Sequence, residues 1–138
     1  MKKVVINKCY GGFSLSVEAL IAYLKRKDPN RKLYYYDLDI KNRCYKATDT
    51  LTHDIIILDK DMGNEFSILS SEVSSHILSQ YGIKRDDPKL VAVVEEMGDK
   101  ANGTHAKLCI TEIDGQYRIV NYDGLEWIET PNSIKWES

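Results

Sequence analysis

A loop near the start of the chain is the segment best suited to chemistry. Residues 11–16 read Gly-Gly-Phe-Ser-Leu-Ser and lie between a predicted strand and a predicted helix. Glycines let the backbone approach a phosphate, and the unpaired N–H groups of a helix's first turn attract anions. The loop therefore predicts an anion site, and its candidate phosphate-binding residues are Gly11, Gly12, Ser14 and Ser16.

The loop matches neither common phosphate-binding motif. It is not G-x-G-x-x-G, and no lysine follows the glycines as in G-x-x-x-x-G-K-S/T. The ordinary alternative is a tight strand-to-helix turn capped by Ser16. Tyr10 and Phe13, on either side of the glycines, could stack on a nucleobase, although an aromatic beside a turn usually packs on the core.

Two positions elsewhere could complete such a site. Arg85 directly precedes a predicted helix start and could neutralise a phosphate, the alternative being a solvated basic neighbour of a capped helix. Asp123, in the Asn-Tyr-Asp-Gly segment 121–124, could bind a ribose or a base edge, or only form a hairpin turn.

The cysteines and histidines predict neither a disulfide framework nor a metal site. Cys9, Cys44 and Cys109 are odd in number and lack zinc-binding spacing, and the three histidines are scattered. Cys109 lies in an apolar strand pattern and is expected to be inert, whereas Cys9 precedes the glycine loop, where a helix N-terminus would favour a thiolate. With no clear nucleophile, base or metal cluster, we expect a protein without cofactor that is not an enzyme; Cys9 and Asp123 are the remaining catalytic alternatives.

Composition sets further bounds. The chain has 138 residues, and 19 basic against 21 acidic side chains give a net charge of −2, too weak a field for non-specific nucleic-acid binding. It carries no apolar run of membrane-spanning length and no secretory signal, so we expect a single intracellular domain over residues 1–138 that does not bind membranes.

Periodicity predicts an α+β, or mixed α/β, fold. A strand, the glycine loop and a helix open the chain as the start of an α/β unit, and Asp87 and Pro88 mark the start of a second long helix. Residues 39–52 and 60–82 have no clear period. The predicted strands cover residues 2–8, 32–37 and 54–59, and the predicted helices residues 16–27, 88–101 and, more weakly, 70–81.

Two turn signals predict a C-terminal antiparallel meander of three strands. Asp114-Gly115 and Asp123-Gly124 each suit a two-residue hairpin loop. These loops would align one isoleucine row across the three strands, and would place Arg118 between Thr111 and Glu129. The aligned row is Ile110, Ile119 and Ile128. Residues 131–138 are expected to form a tail that Trp136 could dock on the body.

Two segments resemble a widespread group of small phage and prophage proteins. Residues 4–16, VVINKCYGGFSLS, resemble the group's N-terminal signature. Residues 85–103, RDDPKLVAVVEEMGDKANG, together with AKL at 106–108 and YDG at 122–124, resemble its C-terminal signature. The resemblance covers about half of the chain, leaves residues 28–80 as a variable middle, and implies a phage context more firmly than an activity.

Two functions follow as expectations. Small phage proteins often oppose host immunity, so the first is a binder that sequesters a small phosphorylated ligand, a nucleotide signal, in the host cytoplasm. The second is an inhibitor that binds a host protein through the variable middle and a tyrosine-rich surface, since the run 34–36 should leave at least one tyrosine exposed. Either is compatible with a symmetric homo-oligomer, which no residue pattern specifies.

Overall fold

The computed structural model describes residues 1–52 and 55–131. Two long helices begin where the sequence predicts, and the first also ends there, whereas the second ends at Met97 instead of residue 101. Ser16 caps the first by accepting the N–H of Ala19, and Asp87 caps the other by accepting the N–H of Lys89, with Pro88 in the first turn. The predicted helix over 70–81 is only one four-residue turn. The helices are α1 (Val17–Lys27), α2 (Val73–His76) and α3 (Pro88–Met97), and a 3₁₀ turn (Gly98–Ala101) follows α3.

The nine described strands form three antiparallel sheets, which confirms the α+β class. A two-stranded sheet pairs β1 with β7, a second pairs β8 with β9, and a five-stranded sheet has the order β5-β3-β2-β4-β6. The strands are β1 (Lys2–Asn7), β2 (Tyr34–Asp39), β3 (Cys44–Ala47), β4 (Ile56–Leu58), β5 (Glu65–Ser67), β6 (Ile77–Leu78), β7 (Leu108–Ile113), β8 (Arg118–Tyr122) and β9 (Leu125–Glu129).

The β1–β7 ribbon is buried on both faces. Val5 joins the main apolar core, which contains the buried sides of α1 and α3. Val4 and Ile6 point the other way, towards Ile119 and Ile128 of the β8–β9 hairpin. Because both faces of β1 are covered, its apolar residues form a continuous run instead of alternating with polar ones.

The five-stranded sheet contributes to the same main core as the helices. Tyr35, Ile57 and Leu78 belong to the main core, so one face of this sheet covers α1. β1 and β2 lie in different sheets, and therefore the expected start of an α/β unit is wrong. Of the predicted strand 54–59, Ile56–Leu58 forms β4, and residue 54 lies outside the described residues.

The three-stranded meander is also wrong, although its second hairpin is confirmed. β8 and β9 pair with Ile119 opposite Ile128 and Arg118 opposite Glu129, in the predicted register. β7 does not continue this ribbon: it pairs with β1, placing Ile110 opposite Val5. The backbone N–H and C=O groups of the buried strand β1 need ladder partners, and β7 supplies them. This long-range pairing outweighs the local turn signal at residues 114–115.

Within the described residues, no helix is long and apolar enough to span a membrane. The predicted docking of Trp136 falls in residues 132–138, which lie outside the described part of the chain.

Candidate functional site

Residues 8–16, which include the glycine loop, connect β1 to α1 and pack on the β8–β9 turn. The N–H of Gly11 donates to the carbonyl of Asp123 at 3.2 Å, and both Gly11 and Gly12 have positive φ. A Cβ on Gly124 would lie 2.2 Å from the backbone nitrogen of Gly12. The absence of a side chain at Gly124 therefore permits the close contact between the two loops, whereas a Cβ on Gly11 would meet the Cβ of His105 at 2.8 Å.

Asn7 holds this junction together from beneath. It is completely buried, and its amide nitrogen donates to the carbonyls of Cys9 at 2.6 Å and Gly124 at 2.8 Å. Its amide oxygen accepts the N–H of Lys107 at 2.9 Å. One asparagine thus fixes the end of β1, the β8–β9 turn and the segment before β7, with its polar atoms satisfied as burial requires.

Arg85 lies beside Phe13 but is not a free cation. Its guanidinium carbon is 3.6 Å from the centre of the Phe13 ring, a close cation–π contact. Two of its nitrogens donate to the carboxylate of Glu126 at 2.6 and 2.7 Å, and one also reaches the carbonyl of Val5 at 3.3 Å. Its charge is therefore balanced within the fold, and its clearest role is to join β1, β9 and the loop before α3.

Ser14 and Ser16 lie on the other side of the loop, against the segment that follows α3. The Ser14 hydroxyl donates to the carbonyl of Thr104 at 3.3 Å, and the backbone carbonyl of Ser14 accepts the N–H of Gly103 at 2.9 Å. The Ser16 hydroxyl donates to the carbonyl of Lys100 at 2.7 Å while it caps α1.

These serines border an open cleft of about 620 Å³ at the N-terminus of α1. Its walls come from the start of α1, from Leu51 and Thr52, and from the loop after the 3₁₀ turn. Glu18 is the one charged side chain among the described lining residues. The polar side chains lining the cleft are Ser14, Ser16, Glu18, Thr52, Asn102 and Thr104.

Gln80 is a site residue that the sequence did not reveal. Its side-chain oxygen accepts the N–H of Leu15 at 2.7 Å, and its side-chain nitrogen donates to the carbonyl of Phe13 at 3.0 Å. The glutamine side chain bonds one backbone N–H and one backbone carbonyl, as a paired strand would, and so fixes the loop next to the cleft. It lies in the part of the chain without periodicity, so no pattern could have indicated it.

Seven of the eight predicted site residues fall into two groups, and Tyr10 belongs to neither. Gly11, Gly12 and Asp123 meet at the junction with the β8–β9 turn, with Phe13 and Arg85 paired nearby. Ser14 and Ser16 line the cleft instead. Tyr10 is 57% exposed, and Asp123 is exposed in a positive-φ turn position.

No two of the three cysteines form a disulfide. Cys9, Cys44 and Cys109 are free thiols, and burial raises the pKa of Cys109, which disfavours its thiolate. Among the described residues, no group of three or more His, Cys, Asp or Glu side chains could hold a metal ion.

Comparison with known proteins gives no match to a family model, to a curated protein or to a solved structure. The resemblance to the phage group remains a prediction. Several residues that carry the resemblance, among them Asn7, Gly11, Arg85 and Gly124, meet at one junction in the fold. Their contacts at this junction explain structurally why these residue types occur at these positions.

Proposed function

We propose that the protein is a phage-encoded, non-enzymatic binder of a small phosphorylated ligand, a nucleotide signal that it sequesters in the host cytoplasm. The observation that supports this is the cleft at the start of α1. The first N–H groups of a helix have no acceptor within it, and the cap of Ser16 satisfies that of Ala19 and not those of Val17 and Glu18. Thr52 and Thr104 add hydroxyls around the same opening, whereas the hydroxyl of Ser14 donates to the carbonyl of Thr104.

The charge of the cleft narrows the class of ligand. Since Arg85 is paired with Glu126 and no described lining residue is basic, neutral donors would hold the phosphate. Glu18 would repel a highly charged ligand, so the cleft suits one or two phosphate groups better than a triphosphate. Phe13 is covered by Arg85, and none of the described lining residues is aromatic. Stacking on a base would therefore depend on Tyr10, which is exposed but does not line the cleft.

Binding is tested by isothermal titration against cyclic and ADP-ribose-type nucleotides, with inorganic phosphate as the reference. We expect at least one nucleotide to bind; no binding by any member at high micromolar concentration would sink the proposal. Val17→Pro removes one N–H at a helix position that accepts proline, after a residue that is already extended, and should weaken binding. Glu18→Gln should strengthen it, because a repulsive charge is lost.

A second candidate function, inhibition of a host protein by direct contact, is favoured by a different surface. Tyr122 and Trp127 lie on the outer face of the β8–β9 hairpin and are 67% and 37% exposed. Tyrosine and tryptophan are enriched at binding hot spots. The run 34–36 contributes less than expected, because Tyr36 is buried and the other two are half-buried.

Pull-down from host lysate separates the two functions. A sequestering protein should recover small molecules and few proteins, whereas an inhibitor should recover one host protein. Trp127→Glu should abolish that capture and leave nucleotide titration unchanged. Recovery of the same host protein by Trp127→Glu would exclude this hairpin face as the contact.

A further inference from the structure

Exposed aliphatic side chains lie at a corner on the β5 edge of the five-stranded sheet. Ile40, in the β2–β3 turn, is 78% exposed, and Leu69, after β5, is 86% exposed. The N–H of Ile68 donates to the carbonyl of Arg43 at 3.1 Å and so joins the two segments. A groove of about 470 Å³ lies between residues 42–44 and 65–69, and it is lined by Leu69 and by Ile68, which is 40% exposed. Clustered exposed aliphatic side chains are typical of an interaction surface.

Part of the backbone at this corner is also available for pairing, although the carbonyl of Ser67 already accepts the N–H of Ser70 at 3.0 Å. β5 is an edge strand of the five-stranded sheet. The carbonyl of Asn64 accepts the N–H of Ala47, and Ile68 donates to Arg43, so these alternate residues face β3. In an antiparallel ladder the N–H groups of Glu65 and Ser67 therefore point outward. An edge of this kind is a template for another strand.

Two opposite charges line the same groove without an ion pair. Among the described residues, neither Arg43 nor Glu65 has an oppositely charged partner within 4 Å. Lys46, which lies opposite Glu65 across the strands, pairs with Asp39 at 3.0 Å instead. The groove therefore presents an apolar surface bordered by one cation and one anion that form no ion pair. The Glu65 carboxylate makes a long contact, 4.0 Å, with the thiol of Cys44.

We propose that this corner is a two-fold interface between two copies of the chain. A two-fold interface brings residue i of one copy to residue j of the other and j to i. Arg43 of each copy would then meet Glu65 of the other, so one patch supplies both halves of the charge complementarity. The outward edge of β5 would lie along the same edge of its partner, and Ile40 and Leu69 would be covered.

Sedimentation velocity of the full chain, over a concentration series up to roughly 100 μM, tests the proposal. We expect a monomer–dimer equilibrium that Leu69→Lys shifts to monomer. Tyr81→Lys is the matched control, since Tyr81 is 87% exposed on another surface, and it should leave the equilibrium unchanged. Far-UV circular dichroism establishes that each variant is folded.

Charge reversal is the sharper arm of the experiment. Arg43→Glu and Glu65→Arg alone should each weaken dimerisation by about tenfold or more, because like charges would face each other. The double variant Arg43→Glu, Glu65→Arg should restore dimerisation, because the ion pairs between the two copies form again with the charges exchanged. A monomeric wild type, capture of a host protein by this corner without self-association, or a double variant no better than the single ones would each overturn the proposal.

Discussion

The guanidinium of Arg85 and the carboxylate of Glu126 form two parallel hydrogen bonds, 2.6 and 2.7 Å long. The Glu126 side chain is only 4% exposed and also accepts the N–H of Asn7 at 2.8 Å. Val5, two residues earlier, donates its N–H to the carbonyl of Arg85 at 2.9 Å. The edge of β1 that does not face β7 is therefore closed by one buried ion pair.

Arg85→Met should be strongly destabilising. It leaves the carboxylate of Glu126 buried without its cation, so we expect the free energy of unfolding to fall by about 3–5 kcal/mol. Urea denaturation measures the loss. Adding Glu126→Leu should recover part of it, because the uncompensated charge is then removed.

An exposed pair provides the control for that prediction. Arg26 pairs with Glu96 on the surface, where the glutamate side chain is 63% exposed, and Arg26→Met should cost less than about 1 kcal/mol. Equal losses in Arg85→Met and Arg26→Met would show that burial does not determine the cost.

Gly124→Ala should disturb the junction between the glycine loop and the hairpin turn. The added Cβ would lie 2.2 Å from the nitrogen of Gly12, in addition to the strain of φ +92°. We expect a loss of roughly 3 kcal/mol or more in urea denaturation, since overpacking against backbone cannot relax easily. Gly115→Ala shares a positive φ of +77° but meets open space, and should cost only about 1–2 kcal/mol. Similar losses of stability in Gly124→Ala and Gly115→Ala would show that the close approach of Gly124 to Gly12 adds nothing to the cost.

Local signals in the sequence predicted local structure well. The helix caps at Ser16 and Asp87 and the register of Ile119 with Ile128 depend on residues within about ten positions of each other. The meander failed because β7 pairs with a strand at the start of the chain. β5 and β6 have three and two residues, too few for an alternating pattern to emerge.

The candidate site was predictable only in part, for a related reason. The serines beside the cleft were evident from their place before a helix. The partner of Arg85 is 41 residues away and that of Gln80 is 65 residues away, so no spacing rule could join them. A glycine loop can serve a ligand or a neighbouring loop, and the two uses share the same residue types.

Gln80→Ala should loosen the loop beside the cleft without unfolding the protein. The N–H of Leu15 loses its acceptor, so its amide hydrogen exchange should accelerate more than that of the α3 core. Amide exchange followed by NMR measures both regions. Gln116→Ala, at an exposed position before β8, is the matched control and should leave the Leu15 amide unchanged. Unaltered exchange at Leu15 in Gln80→Ala would mean that the clamp does not hold the loop.

The hydroxyl of Tyr23 donates to the carboxylate of Asp87 at 2.6 Å and so links α1 to the cap of α3. Burial, supported by this hydrogen bond, raises the pKa of Tyr23 from about 10 to about 12. The folded state therefore holds the phenol proton more tightly than the unfolded state. The resulting stability is complete below about pH 10 and is lost as the pH rises towards 12.

Tyr23→Phe should remove this dependence on pH. We expect the wild type to lose about 2–3 kcal/mol more than the variant between about pH 10 and 12, because each pKa unit corresponds to about 1.4 kcal/mol. Urea denaturation at several pH values in this range measures both proteins. Tyr81→Phe, at a position that is 87% exposed, should follow the wild type. If the free energy of unfolding depended on pH in the same way for the wild type and Tyr23→Phe, the phenol would be equally acidic in the folded and unfolded chains. That result would contradict the effect of burial and of the hydrogen bond to Asp87.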